Sequence, residues 1–246
     1  MNRRVLIVAL LATLTTAMSM GFAAEPGGKI RVLLTVGGHD YEQEPFYAVF
    51  KAMPDVTFKI ARMPQDADML KPGLEKEFDV LVMYDMCPGI SPDQQKAFVD
   101  LLNRGIGVVA LHHNMGAHRT WPEYRKVIGG KFFTEEAQFE GKKHGLSGWE
   151  HDQDMAIAVA DSDHPITRGL KDFQIHDETY NNYWVDPAAK VLLTTNHPKN
   201  DRSIAWVTHY GKSPVFYLML GHDGNAYANP SYRELVHRGI RWAAAR

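Results

Sequence analysis

The stretch GVVALHHNMGAH, Gly107 to His118, sets an unbroken apolar run directly against three histidines within seven residues. Val108 to Leu111 reads as a strand buried on both faces, as strands of parallel sheets are. In open α/β sheets the ligand site lies outside the carboxyl ends of the strands. His112 and His113 therefore fall where such a fold places its chemistry, and the surrounding chain has to supply the rest of the sheet.

It does so in alternation. IRVLLTV, Ile30 to Val36, is a second fully apolar strand and ends in Gly37-Gly38-His39-Asp40. Glu44 to Met53 has helical spacing, and Val56 to Ala61 is a further strand. Val80 to Tyr84 is another, closed by Asp85 and a turn at Cys87-Pro88-Gly89. Ser91 caps a helix that carries Pro92 at its first position and runs to about Asn103. Strands alternating with helices predict a doubly wound, mostly parallel α/β sheet. The second half is less regular. A short helix is expected over Trp121–Ile128, an exposed excursion over Thr134–Gly148, and strands over Met155–Ala160, Lys190–Thr195, Ile204–Val207 and Pro214–Leu220. Pro230–Ala244 closes the chain as an amphipathic helix. The later strands include antiparallel additions, and with no repeat or linker the reading is one domain over residues 29–246.

Composition narrows the partners. The chain of 246 residues is 45% hydrophobic with a formal net charge of −2, so it presents no polycationic surface to nucleic acid. Its twelve histidines are the compositional oddity. Asn2-Arg3-Arg4, the apolar stretch Val5 to Met20 and the small residues Gly21-Phe22-Ala23-Ala24 follow the three-part pattern of a secretory signal peptide. Residues 1–24 are thus expected to be removed, leaving a periplasmic or secreted protein with no membrane span. Cys87 is the only cysteine, so the fold has no internal disulfide to lean on.

Four polar clusters are candidates for strand-end chemistry: Gly38-His39-Asp40, His112-His113-Asn114, His176-Asp177-Glu178 and Gly221-His222-Asp223. Convergence of His39, His112, His222 and Glu178 would give three nitrogens and one carboxylate, a feasible set for Zn²⁺ or a similar divalent metal. The same groups can act as acids and bases. A strand-end histidine is also commonly a hydrogen-bonded loop residue, and no tight motif such as His-Glu-x-x-His is present. Asp177 and Glu178 can equally be helix-capping charges. His118, His144, His151, His197 and His237 read as surface or structural. Trp121, Trp184 and Trp206 are candidates for stacking on a sugar or for core packing. Cys87 reads as a packed thiol and not a nucleophile.

Several segments resemble the trehalose-utilisation (ThuA-like) family: HPITRGLKDFQIHDETYNNY (His164 to Tyr183), HYGKSPVFYLMLGHDGNAYANPSYRELVHRGIRWAA (His209 to Ala244), and TVGGHDYE and VVALHH in the first half. That family is similar in fold to the class I glutamine amidotransferases, a flavodoxin-like α/β sandwich. The amidotransferases carry a cysteine nucleophile at a strand-to-helix elbow, where this chain has His112, and their catalytic histidine corresponds to His222. The resemblance therefore implies the pocket without the thiolate, and no glutaminase activity. It further implies that His39 and Glu178 join His112 and His222, with His112, His222 and Glu178 as the catalytic groups. Tyr180, Asp177, His113, His39 and Asp223 would be near the substrate. The expected ligand is a carbohydrate or keto-sugar, acted on by hydrolase or lyase-like chemistry, with a divalent metal and no nucleotide cofactor. A non-catalytic carbohydrate-binding or accessory module is the alternative, and a second copy of the chain is an open partner. His113 is expected to point away from the site.

Overall fold

The computed structural model describes residues 28–139 and 141–245, so the signal-peptide reading lies outside the described residues. The strands are β1 (Ile30–Val36), β2 (Val56–Arg62), β3 (Val80–Met83), β4 (Gly107–Leu111), β5 (Gly130–Lys131), β6 (Ala137–Phe139), β7 (Lys142–His144), β8 (Gly148–Val159), β9 (Phe173–Asn181), β10 (Trp184–Val185), β11 (Lys190–Thr195), β12 (Ser203–Tyr210) and β13 (Ser213–Leu218). The helices are α1 (Gln43–Lys51), α2 (Leu74–Glu77), α3 (Pro92–Leu102), α4 (Tyr124–Ile128), α5 (Gly224–Ala228) and α6 (Pro230–Ala243).

Nine strands form one sheet in the order β2-β1-β3-β4-β13-β12-β11-β8-β9. The first five are parallel, and their order is that of the flavodoxin-like doubly wound fold. Every residue of β3 and β4 is buried, as an apolar strand covered on both faces must be. From β12 onward the pairs are antiparallel, which extends the sheet without crossover helices. The helix after β3 starts as expected: Ser91 and Gln94 form a reciprocal capping box and Pro92 follows the cap. No helix among the described residues is long and apolar enough to cross a membrane.

The second half departs from the sequence reading in one respect that matters. The strand expected over Met155–Ala160 is longer, beginning at Gly148, and it pairs with a strand, β9, that the sequence does not advertise. The cluster His176-Asp177-Glu178 thus sits inside a strand and not at the end of one. Asp177 and Glu178 cap no helix. The excursion expected over Thr134–Gly148 contains the small hairpin β6–β7.

Candidate functional site

His112 begins the turn that leaves β4, and it holds a φ of +47°. A β-carbon residue in the left-handed region is strained, and such strain persists where the surroundings fix it. Two contacts fix it here. The Tyr217 hydroxyl donates to the His112 carbonyl oxygen at 2.6 Å, and His112 Nδ1 donates to the Met219 carbonyl oxygen at 2.7 Å. The second contact places the ring hydrogen on Nδ1, so the Nε2 lone pair of the neutral ring is directed at the site. This is the orientation in which metal-binding imidazoles are usually held.

Three donor atoms meet at that lone pair. His112 Nε2 is 3.0 Å from Glu178 Oε2 and 3.2 Å from His222 Nδ1, and His222 Nδ1 is 3.4 Å from Glu178 Oε2. The Tyr180 hydroxyl lies 3.0 Å from His112 Nε2. His112 is fully buried and Glu178 nearly so, while His222 is half-buried. Burial by itself would lower the pKa of His112, but the Glu178 carboxylate outweighs it and the net shift is upward. Burial would raise Glu178, and His112 reverses that too, leaving it below the usual carboxylate range. His222 is lowered to about 4 by burial and by the neighbouring His112.

Asp177 holds two of these donors from behind. Its buried carboxylate accepts the backbone N–H of Gly221 at 2.7 Å, of His222 at 3.0 Å and of Glu178 at 2.9 Å. It therefore faces the backbone and not the cleft, and burial raises its pKa. Gly221 has a φ of +112°, and a Cβ there would lie 2.5 Å from the Tyr232 hydroxyl oxygen. Only glycine lets the chain turn at that point and present His222. Asp223 is also turned away from the cleft. Its carboxylate caps α5 by accepting from Asn225 and Ala226 N–H.

The donors open onto a cleft of about 340 Å³. His39, His113, His151, Tyr180 and Trp149 are among its lining residues. His39 is exposed and stacks on His113 with ring centroids 4.6 Å apart. Its Nδ1 bonds the neighbouring Asp40 carbonyl, and it is not part of the close donor group, which consists of His112, Glu178 and His222. His113 lines the cleft instead of pointing away. Its Nε2 donates to the Tyr84 carbonyl at 2.7 Å, and its pKa is held well below the ordinary value by burial.

Two lining residues escape the sequence reading. His151, read there as surface or structural, is exposed, yet its Nδ1 is 3.2 Å from Glu178 Oε1 and its ring 4.5 Å from that of His222. Trp149 is 55% exposed at the cleft, its ring 4.8 Å from His151. The tryptophans picked from sequence have other work. Trp206 is fully buried, stacks on Tyr217 and donates to the Ile128 carbonyl, Trp121 is core, and Trp184 packs on Phe139. His118, read from the sequence as surface or structural, is buried, being 1% exposed. Cys87 is a packed thiol, its pKa pushed up to about 11 by burial. Trp149 and His151 lie in the part of β8 where a bulge breaks the alternation, so the sequence shows no strand there.

The parallel five-strand order defines a flavodoxin-like doubly wound α/β protein. Within that class the chain belongs to the ThuA, trehalose utilisation, family, whose sequence pattern matches residues 31–243. No curated protein sequence matches it. Among solved structures it is similar to a ThuA-like protein from Parabacteroides merdae, with 19% identity and a TM-score of 0.73 over 88% of this chain and 90% of that one. A ThuA-like protein from Bacteroides uniformis has 20% identity and a TM-score of 0.68 over 91% and 95% of the two chains. A β-galactosidase from Bacillus circulans shares the fold at 11% identity and a TM-score of 0.57, over 87% of this chain and 31% of its own.

Proposed function

We propose that this protein is an exported enzyme of carbohydrate or keto-sugar metabolism whose site is a divalent metal held by His112, Glu178 and His222. The observation that carries the reading is the spacing of the three donor atoms, 3.0, 3.2 and 3.4 Å. A tetrahedral zinc with bonds of roughly 2.0–2.1 Å needs its ligand atoms roughly 3.3–3.4 Å apart. Three such ligands would leave one position of a tetrahedral metal unfilled by the protein. That is the pattern of a catalytic and not a structural zinc site. The chemistry such a metal supplies when bound is polarisation of a carbonyl or hydroxyl oxygen.

The protein's own groups complete the site. Met219 and Asp177 hold the donors in place through His112 Nδ1 and the backbone of Glu178 and His222. Tyr180 is buried, which raises its pKa well above the ordinary value and keeps its hydroxyl a hydrogen-bond donor beside the donor group. His39, in the turn after β1, lines the cleft stacked on His113. The carbohydrate assignment is supported by the family's description, trehalose utilisation. The export assignment is supported by the basic, apolar and small-residue pattern of residues 1–24.

The test is to load untagged protein with zinc and follow trehalose, glucose and keto-sugar derivatives of them by NMR. Conversion of one of them, abolished in Glu178→Gln, supports the reading. Saturable binding without conversion favours a carbohydrate-binding module, and absence of both overturns the assignment of ligand class.

A further inference from the structure

The pairing of β8 with β9 slips at one place. Glu150 stands opposite Thr179 and Gln153 opposite Asp177, so His151 and Asp152 together face Glu178 alone. This is a β-bulge, a device that re-aims a side chain and is common beside active sites. The bulge is built and braced. Asp152 takes a φ of +56°, and the Gln153 side-chain amide donates to the carbonyls of His151 at 2.7 Å and Asp152 at 3.2 Å. On the facing strand His176 bonds Asp154 at 2.8 Å and lies 3.6 Å from Asp152.

The side chain aimed by this device is His151. Its Nδ1 lies 3.2 Å from Glu178 Oε1, the oxygen that does not face His112 and His222. The contact is electrostatic, the ring nitrogen facing the carboxylate oxygen. His151 is outside the group of atoms that lie within 4.8 Å of one another, so it touches the carboxylate and not the metal position. Its own ring is held between Trp149 and His222, at centroid distances of 4.8 and 4.5 Å.

We infer that His151 is a positioning residue that ties down the second oxygen of Glu178, so that the carboxylate binds metal through Oε2 only and one metal position stays open to the cleft. The inference rests on the metal reading above. Freed from His151, Glu178 can rotate and offer both oxygens, which raises the coordination number and fills the position a substrate needs. Outer-shell partners of this kind orient metal ligands and are costly to remove.

Cobalt(II) in place of zinc reports this directly, because four-coordinate cobalt absorbs visible light far more strongly than five-coordinate cobalt. The comparison is between the parent, His151→Ala, and His151→Asn, whose side-chain amide can donate from nearly the same place as Nδ1. Circular dichroism on each variant checks that the fold is kept. The expected result is an intense band in the parent, a severalfold weaker band per bound cobalt in His151→Ala, and recovery in His151→Asn. An unchanged spectrum in His151→Ala overturns the inference and leaves the metal site standing. Loss of the metal itself in both variants would make His151 a ligand and also overturn it. A parent that takes up no cobalt overturns the metal reading and this inference together. Should His151→Ala fail to fold, the inference stands on His151→Asn, where a parent-like spectrum supports it and a weakened one contradicts it.

Discussion

His112 gives its Nδ1 hydrogen to the carbonyl oxygen of Met219, 2.7 Å away, and the rest of the site follows from that bond. It ties the strand-end turn after β4 to the segment after β13, and it turns Nε2 toward Glu178 and His222. Removing the ring should therefore remove metal binding and also leave a buried carboxylate without its partner. His112→Ala is expected to lose zinc and to cost on the order of 3 kcal/mol of metal-free stability, as breaking a buried pair does. Chemical denaturation with chelator present measures the second effect. Equal stability of variant and parent would mean that Glu178 and His112 do not form the pair described.

Asp177 is predicted to act through the backbone. Asp177→Asn keeps the size but puts an NH2 group where N–H donors point. We expect zinc affinity to fall about 10–100-fold, the usual penalty for disturbing what orients a ligand. Competition against a chromophoric chelator measures it. Unaltered affinity would show that the position of His222 does not depend on this carboxylate.

The pH dependence has a sign that can be worked out. Metal binding needs unprotonated imidazoles. His222, lowered to about 4 by burial and by His112, is already neutral near pH 7. His112 is raised, burial being outweighed by Glu178, so it is the ring that must give up a proton. In metal-free protein the raised His112 contributes stability below its unfolded pKa of about 6.5 and loses it as pH rises through the folded value. The lowered Glu178 contributes above its unfolded pKa of about 4.3 and loses its share as pH falls through the folded value. The depressed His222 works against stability as pH falls below about 6.5. Zinc-loaded protein should gain as His112 deprotonates. The difference in Tm between zinc-loaded and metal-free protein is thus expected to widen from pH 6 to pH 8, and a difference that narrows would contradict the His112 assignment.

His118 tests the opposite case. It is buried, and neither ring nitrogen has a hydrogen-bond partner among the described residues. Its pKa is lowered by burial. A buried polar group without a partner costs about 1–3 kcal/mol, so His118→Leu is expected to be neutral or to stabilise by about 1 kcal/mol. Thermal unfolding decides, and a clear loss of stability would reveal a polar role for that ring.

Much of the fold is legible in the sequence, and the boundary of what is legible has a physical cause. Val80–Tyr84, Gly107–Leu111 and Pro214–Leu220 are apolar because both faces of the parallel sheet are covered, so the strand ends bearing His112 and His222 announced themselves. β9 did not, because its site-facing and brace residues, His176, Asp177, Glu178 and Thr179, sit in mid-strand and give it the composition of a loop. The same applies to β8, whose bulge at His151-Asp152 breaks the alternation that would have marked it. Glu178 stands out in the sequence as part of a polar cluster, though not as a mid-strand residue. His151 needed the pairing register, and Trp149 needed the cleft. His113 and Asp223 show the limit from the other side: adjacency in sequence could not say that one lines the cleft and the other caps a helix.

The central claim is that His112, Glu178 and His222 hold one metal ion, and metal content measures it most directly. Untagged protein equilibrated with zinc and freed of excess should carry one equivalent per chain by elemental mass spectrometry, while His112→Ala and Glu178→Gln, both shown to be folded, carry none. Parent protein without stoichiometric zinc or any other divalent metal, or variants that retain it in full, would contradict the account.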